Sequence, residues 1–316
     1  MKKLSKLLIA VLALVATAFA PVANVFAEEG ENNAWLQVAP VSSRVKLLPG
    51  SNNEYSIVVT NNGENELRFS ASVAPYTVID ESYNLSFTNE TLRTQLTHWI
   101  KFVNPDGSIT DKFVASVAPN SDIAINYRVS VPDSVPAGGQ YAVILVQTET
   151  DQNVEGAGVQ TIPRVGVVIY GRTDGETEEK SELISFNIPT FMTEGKVSAS
   201  SVIKNTGNVD FEAKYSFSVK SIIGKELFAV NDKSNIILPD TQRKEEFVWE
   251  ETPTIGIFQV SYKAEAHGQV LKDETVFVMI LPVYLIVIMI LLLTIIIIWI
   301  IMLIRKRKER KSRLLV

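Results

Sequence analysis

The sequence predicts an all-β protein with two β-sandwich domains in tandem, and three observations support this. Several segments, such as residues 211–219, alternate apolar and polar side chains with period two, as strands with one buried face do. Turn-forming residues separate these segments, and several patterns occur twice in the same order. Regularly spaced turns between short strands favour immunoglobulin-like sandwiches over a single barrel.

The first 27 residues have the features of a secretory signal peptide. A basic start precedes an apolar run over residues 7–20, and Ala27 supplies a small residue at the expected cleavage position. We therefore expect cleavage after Ala27. The alternative, an uncleaved N-terminal anchor, is disfavoured because Pro21 interrupts the apolar run too early to span a bilayer.

A transmembrane helix is predicted over residues 279–304, which carry no charge and are apolar on every side. The tail that follows, residues 305–316, is basic. Its cations are Arg305, Lys306, Arg307, Lys308, Arg310, Lys311 and Arg313. By the positive-inside rule the tail is cytoplasmic and residues 28–278 are extracellular, so we expect a single-pass protein of the cell membrane. A nuclear-localisation or nucleic-acid role for the same cluster is the alternative, which the adjoining span disfavours.

Charge and composition exclude several classes of function. Of the 30 basic residues, three lie in the signal peptide and seven in the tail. Of the 35 acidic residues, one lies in the tail. Residues 28–278, the ectodomain, therefore carry 20 basic and 34 acidic residues, which argues against nucleic-acid binding because phosphate contacts need clustered cations. The chain has no cysteine, so disulfides, thiol nucleophiles and zinc–thiolate sites are excluded.

Three short patterns occur twice, which indicates two copies of one sandwich. They are Asn61-Asn62-Gly63 with Asn205-Thr206-Gly207, Pro119-Asn120 with Pro239-Asp240, and Gly139-Gln140-Tyr141 with Gly256-Ile257-Phe258. We expect the two asparagine-containing turns to adopt positive φ, as a tight hairpin requires. The first copy is longer, by an insert between Tyr76 and Phe113 in which residues 91–100 suggest a short helix after Asn89.

An acidic, polar stretch without apolar periodicity, residues 173–181, is the predicted linker. It divides the ectodomain into a first sandwich over residues 35–172 and a second over residues 182–277. We expect the two sandwiches to fold separately, so limited proteolysis should cut first between Asp174 and Ser181.

Few residues could form a catalytic site. The histidines are His98 and His267, and with no cysteine present few nucleophile-and-base arrangements are possible. We expect surface or packing roles for both. Paired glycosidase carboxylates are not excluded by number, but no local context indicates a pair. The sequence thus predicts a protein that is not an enzyme, with no catalytic residue, metal site or cofactor, and it leaves the binding residues unknown.

Strand and turn patterns along nearly the whole chain, and the order of its parts, resemble a known family. The segments are Leu36-Gln37-Val38-Ala39-Pro40, Leu48-Pro49-Gly50 and residues 139–145 in the first domain, with Phe247-Val248-Trp249, residues 256–260 and Glu274-Thr275-Val276-Phe277 in the second. The whole plan resembles that of the WxL-interacting proteins of Gram-positive bacteria. This resemblance implies a first domain that binds peptidoglycan and a second that engages surface-layer proteins or host matrix. It transfers no binding residue.

These features predict a membrane-anchored binding protein that engages the cell wall, surface proteins or host proteins, with residues 279–304 in the bilayer. A first alternative is a membrane-tethered assembly factor, similar to the periplasmic pilus chaperones, which use two immunoglobulin-like domains and donate strands to subunits. An exposed edge strand with open bonding groups would favour it. A second alternative, a surface hydrolase, would need a deep cleft with paired carboxylates.

Overall fold

The computed structural model describes residues 35–149, 163–173 and 175–313, with side chains as far as Ile304. The predicted signal peptide and its cleavage site at Ala27 lie outside the described residues, as do the side chains of the basic cluster. Within the described part the chain forms two immunoglobulin-like β-sandwiches in tandem, followed by one apolar helix. The predicted fold class is confirmed.

The first sandwich consists of two five-stranded sheets. Its strands are β1 (Leu36–Ala39), β2 (Ser42–Leu47), β3 (Asn52–Asn61), β4 (Leu67–Pro75), β5 (Thr77–Val78), β6 (Leu85–Ser86), β7 (Ile100–Val103), β8 (Ile109–Thr110), β9 (Lys112–Val117), β10 (Ser121–Ser130), β11 (Gly139–Thr148) and β12 (Arg164–Thr173). The sheet orders are β1-β3-β10-β7-β8 and β2-β12-β11-β4-β9, and β5 pairs with β6 alone. Neighbouring strands are antiparallel, except that β2 runs parallel to β12. β2 is an edge strand of its sheet.

The second sandwich consists of a three-stranded and a five-stranded sheet. Its strands are β13 (Ser181–Asn187), β14 (Phe191–Met192), β15 (Ser198–Asn205), β16 (Phe211–Ser221), β17 (Glu226–Ile237), β18 (Gln242–Val248), β19 (Gly256–Ala266) and β20 (Gln269–Ile280). The sheet orders are β13-β15-β18 and β14-β20-β19-β16-β17. The long strand β17 therefore forms the edge of the larger sheet.

Each sandwich encloses its own apolar core, built by the alternation seen in the sequence. In β10, Ile125 and Tyr127 are buried while their strand neighbours are more exposed, and in β16 Tyr215 is buried in the same alternating way. In the second core Trp249 is buried and packs edge-on against Phe258, with ring centroids 5.2 Å apart. Burying a side chain of this size contributes about 1.5–3 kcal/mol, so these rings dominate each core.

The helix predicted over residues 91–100 is reduced to the single turn α1 (Leu96–Trp99). Side chains form hydrogen bonds with backbone groups that would otherwise bond within a longer helix. The hydroxyl of Thr94 accepts the N–H of Thr91 at 2.8 Å, which closes a local turn. Gln140 on β11 accepts the N–H of Gln95 at 3.1 Å and donates to the carbonyl of Leu92 at 2.9 Å.

The apolar helix α2 (Val283–Arg313) begins four residues later than the predicted start at Met279. Met279 and Ile280 instead continue β20 and pair with β19, because the hydrogen-bonded sheet extends to that point. Pro282 follows, which suits the first turn of a helix. The segment long and apolar enough to cross a membrane is Val283–Ile304, 22 residues, or about 33 Å of helix against a hydrocarbon core of about 30 Å.

The repeated asparagine turns form matching side-chain hydrogen bonds, as two copies of one sandwich would. Asn61 and Asn205 are both buried, and the Oδ1 of each accepts the N–H of the glycine two residues later at 2.9 Å. The expected positive φ is wrong for these turns, because the asparagine side chain closes them without a left-handed residue. Positive φ occurs instead in the second repeated pattern, at Asn120 (52°) and Asp240 (63°).

The third repeated pattern places an aromatic ring over a glycine in both copies. A Cβ at Gly139 would lie 1.9 Å from the hydroxyl oxygen of Tyr141, and one at Gly256 would lie 2.5 Å from the ring of Phe258. Only glycine, which has no Cβ, leaves room for the ring of the residue two positions later to lie over its backbone. The two positions mark the same end of each sandwich.

The predicted linker is shorter than expected and is bonded to the second sandwich. The first residue of the predicted linker belongs to β12 and the last belongs to β13. Residues 174–180 therefore connect the two strands. Asn208 holds them: its backbone N–H donates to the carbonyl of Glu178 at 2.9 Å, and its side chain donates to the carbonyl of Glu176 at 2.8 Å. Separate folding of the two sandwiches stays a prediction.

Candidate binding cleft between the sandwiches

A third apolar cluster joins the two sandwiches. The first sandwich contributes Tyr76, Tyr141 and Tyr170, and the second contributes Leu238 and Ile236. The ring of Tyr170 meets the other two tyrosines edge to face, with centroids 6.0 Å from Tyr141 and 6.4 Å from Tyr76. Edge-to-face contacts are favourable beyond the area they bury, so the cluster stabilises the junction between the sandwiches.

Asp210 is the polar centre of this junction. Its buried carboxylate accepts Arg44 at 2.9 Å and the hydroxyl of Tyr141 at 3.2 Å. Its backbone N–H donates to the same hydroxyl at 2.9 Å, and its carbonyl accepts Arg172 at 3.2 Å. Burial, followed by the charge of Asp210, raises the pKa of Tyr141, so this phenol stays protonated and can donate. A buried charge needs such partners to be tolerated.

An open cleft of ≈ 660 Å³ lies beside this contact, with walls from both sandwiches. The first sandwich lines it with Arg44, Tyr76, Ser82, Tyr83, Leu85 and Tyr170. The second lines it with Glu212, Ser234, Asn235, Ile236 and Arg243. Three tyrosine rings and two guanidinium groups are therefore part of the lining, with one carboxylate among the described residues.

The arginines of the cleft lie over its tyrosine rings. The guanidinium carbon of Arg243 is 4.1 Å from the ring centroid of Tyr83, and that of Arg44 is 5.2 Å from the centroid of Tyr170. Such stacking contributes about 0.5–1 kcal/mol at exposed sites. Burial raises the pKa of Tyr83 to about 12 and raises the pKa of Tyr76. The phenols are therefore neutral hydrogen-bonding groups at physiological pH.

Edge strands of both sandwiches border the cleft: β2 carries Arg44, and β17 carries Ser234 and Ile236. On the open side of β17, the carbonyl of Ile236 accepts Arg243 at 3.1 Å, and the N–H of Leu238 donates to the hydroxyl of Tyr83 at 3.0 Å. Alternate residues of an edge strand present their N–H and C=O groups to the same side. Ser234 therefore presents its backbone groups toward the cleft.

The histidines lie away from the cleft lining. His98 is 3.6 Å from Glu90, and His267 is 3.1 Å from Glu179 near the linker. Among the described residues, no group of three or more histidine, aspartate and glutamate side chains could hold a metal ion. The arrangement in the cleft can hold a ligand by stacking, hydrogen bonding and ion pairing.

Sequence reasoning did not identify the residues of the cleft. Arg44 and Arg243 lie on strands whose pattern indicates only solvent-facing positions. The available signal was the irregular insert between Tyr76 and Phe113, which departs from the expected strand pattern. It carries Tyr83 and the hairpin of β5 and β6, and these form one wall of the cleft.

Comparison with known proteins gives structural similarity alone. No protein-family model and no curated protein matches the chain. Among solved structures, a chaperone–tip adhesin complex of CFA/I fimbriae is 11% identical, with a TM-score of 0.38 over 78% of this chain and 99% of that chain. The CsuC–CsuE chaperone–tip adhesin subunit complex of Acinetobacter baumannii is 11% identical, with a TM-score of 0.37 over 77% and 97%. The Salmonella enterica SafA pilin–SafB chaperone complex is 9% identical, with a TM-score of 0.36 over 82% and 99%. At these values the similarity assigns neither ligand nor function.

Proposed function

We propose that this chain is a membrane-tethered binding protein for other extracellular polypeptides, which it holds as extended segments in the cleft between its sandwiches. The observation that carries this proposal is the edge of β17, whose backbone groups at Ser234 open into an aromatic cleft. An extended peptide can add to such an edge by main-chain hydrogen bonds, while pockets beside the edge select its side chains.

The side chains around the edge suit a peptide ligand. Tyr76 and Tyr83 offer apolar ring surface with polar hydroxyl groups, and Arg243 and Glu212 offer charges of both signs. A peptide presents apolar, polar and charged groups in alternation, so it can use all of these. The cleft is open to solvent, which admits a chain that continues beyond it.

This proposal favours one of the alternatives open at the sequence level. A membrane-tethered assembly factor for surface structures was expected to show an exposed edge strand with open bonding groups. β17 is an edge strand, and its open position is Ser234. A hydrolase was expected to place paired carboxylates in a deep cleft, and among the described lining residues Glu212 is the carboxylate present. The resemblance to WxL-interacting proteins, and the peptidoglycan contact it implies, stay predictions.

Photocrosslinking in intact producing cells tests the proposal. A photoreactive residue in place of Ser82, in the wall of the cleft, should yield covalent adducts with a surface protein after irradiation. Ser234→Pro in the same background should abolish the adduct, because proline removes the N–H that an added strand would use. Ser234→Ala keeps the backbone group and should retain it.

Two results would contradict the proposal. The first is an adduct that is equally strong in the Ser234→Pro and Ser234→Ala backgrounds, because strand addition would then not be involved. The second is adducts with glycan instead of protein, together with retention of the ectodomain on purified cell wall, which would support the wall-binding alternative.

The membrane orientation belongs to the same proposal. The basic cluster after Ile304 should remain in the cytoplasm and the sandwiches should face outward. Protease added to intact cells should degrade both sandwiches and spare an epitope fused after Val316. Protection of the sandwiches in intact cells would reverse the orientation.

A further inference from the structure

Strand pairing places the tip of one hairpin level with the start of the membrane helix. Ser221, at the end of β16, pairs with Phe258 on β19, and Phe258 pairs with Val278 on β20. Ile222 and Ile223 extend the β16–β17 hairpin beyond that level, in the same direction in which β20 runs to the helix. The tip therefore lies at the end of the second sandwich where the chain leaves for α2.

This end of the second sandwich is apolar and exposed. Ile222 is 69% exposed and Ile223 is 85% exposed. Further exposed apolar side chains at the same end are Phe191, Ile255, Ile257, Phe277 and Met279. Single exposed apolar residues are ordinary, but seven of them at one end of a sandwich mark a surface that contacts something else.

The equivalent end of the first sandwich shows what such an end contacts. There the repeated glycine–aromatic pair is covered by the second sandwich: Gly139 donates its N–H to the carbonyl of Asn208 at 2.8 Å, and Tyr141 bonds to Asp210. The second copy of this pair, Gly256 and Phe258, lies where the chain approaches the membrane. No third sandwich follows it in the described chain.

We propose that this end of the second sandwich rests on the lipid bilayer, with the Ile222-Ile223 tip inserted at the boundary between head groups and acyl chains. The occupant is identified by continuity with the membrane helix. Val283 begins that helix three residues after β20 ends, and Tyr284 has the amphipathic character of residues at membrane interfaces. From Ile280 to Tyr284 the chain reaches at most about 14 Å, so the tip lies within reach of the interfacial layer.

The inserted tip would fix the direction in which the cleft points. β16 runs from Phe211, beside the cleft, to Ser221, beside the membrane, and its 11 residues span about 35 Å. A sandwich attached only through α2 could tilt on the bilayer. A second contact at the hairpin tip would hold the cleft away from the lipid surface and open to partners.

Because the chain has no cysteine, single-cysteine variants of the full-length protein in liposomes can test this contact. An environment-sensitive fluorophore is placed at Ile223→Cys, at Ile255→Cys on the same end, and at Leu92→Cys in the first sandwich. Leu92 is the matched control because it is also apolar and 73% exposed. A quencher attached to lipid acyl chains should reduce emission at positions 223 and 255 at least about twofold more than at position 92, as for other interfacial segments.

A fourth label, at Ile290→Cys in the middle of α2, separates failure of this inference from failure of the membrane topology. Quenching at 290 with no excess quenching at 223 and 255 over 92 would overturn the inserted tip while leaving the span in place. Absence of quenching at 290 would overturn the membrane anchor itself. The measurement needs no ligand in the cleft, so it is independent of the polypeptide-binding proposal.

Discussion

Asn61 and Asn205 occupy equivalent turns in the two sandwiches, but the chain uses the two turns differently. Each side chain donates to the carbonyl four residues later and to a carbonyl at the end of a distant strand, Val117 for Asn61 and Ile237 for Asn205. In the first copy the side chain of Asn61 bonds to residues of its own sandwich. In the second copy the linker is hydrogen-bonded to the turn, so there the turn is part of the junction between the sandwiches.

The glycines of the two turns show this difference most directly. A Cβ at Gly63 would lie 3.1 Å from the side-chain oxygen of Asn61, a contact that a displacement of a few tenths of an ångström would relieve. A Cβ at Gly207 would lie 2.1 Å from the backbone oxygen of Glu178 in the linker, which cannot move without breaking its bonds to Asn208. The close approach of two backbones requires glycine in the second copy alone.

The largest expected effect is therefore that of Gly207→Ala. We expect it to lower the free energy of unfolding by about 3 kcal/mol, because the added methyl group forces the linker away from the turn. Gly63→Ala should cost less than about 1 kcal/mol. Thermal unfolding of the detergent-solubilised full chain measures both.

Limited proteolysis of the same pair addresses the predicted separate folding of the sandwiches. In the wild type, the bonds of the linker to Thr206 and Asn208 should protect the peptide bond after Lys180 from trypsin, contrary to the early cleavage expected from the sequence. Gly207→Ala should expose it, and Gly63→Ala should not. If the wild type is cut there first and both fragments retain cooperative unfolding, the sandwiches fold separately despite the shared tyrosine cluster.

The asparagines come next in expected effect. Asn205→Ala leaves the buried carbonyls of Val209 and Ile237 without their donor, at a cost of about 2–3 kcal/mol. Asn61→Ala should cost somewhat less, because part of its network lies near the surface. Asn104→Ala, which removes an exposed bond to Ser108, is the control and should be close to neutral. Equal losses for all three variants would show that the buried turns are not special.

The sequence predicted the parts of the fold that local patterns determine. Period-two alternation located strands such as β10 and β16, and the repeated turns identified the duplication. Sequence analysis failed where distant residues determine the local structure. In residues 91–100, for example, backbone groups bond to Gln140 on β11. The cleft was not predicted because its lining comes together only when the sandwiches dock, and neither Tyr170 nor Arg243 has a local pattern that indicates this.

Tyr141 in the first copy and Phe258 in the second occupy equivalent positions and differ by one hydroxyl group. The hydroxyl group of Tyr141 is bonded to Asp210. We expect Tyr141→Phe to destabilise the protein by about 1.5–2 kcal/mol, because hydrogen bonds to charged groups exceed neutral ones in strength. Tyr215→Phe is the matched control, since among the described residues its buried hydroxyl has no hydrogen-bond partner. Its removal should be neutral or slightly stabilising. A loss as large as that of Tyr141→Phe would show that the bond to Asp210 is not the cause.

The smallest expected effect is a dependence of the junction on alkaline pH. Burial raises the pKa of Tyr83 from its ordinary value of 10.0 to about 12. The folded protein therefore favours the neutral phenol, so this stabilisation is complete below pH 10 and is lost as the pH rises toward 12. The thermal midpoint should fall over this interval, and Tyr83→Phe should fall less steeply because the phenylalanine cannot ionise. Tyr55, which also has a raised pKa but lies in the first core away from the junction, provides the comparison through Tyr55→Phe. If Tyr55→Phe reduces the fall of the thermal midpoint with pH more than Tyr83→Phe does, the alkaline sensitivity lies in the first core instead of the junction.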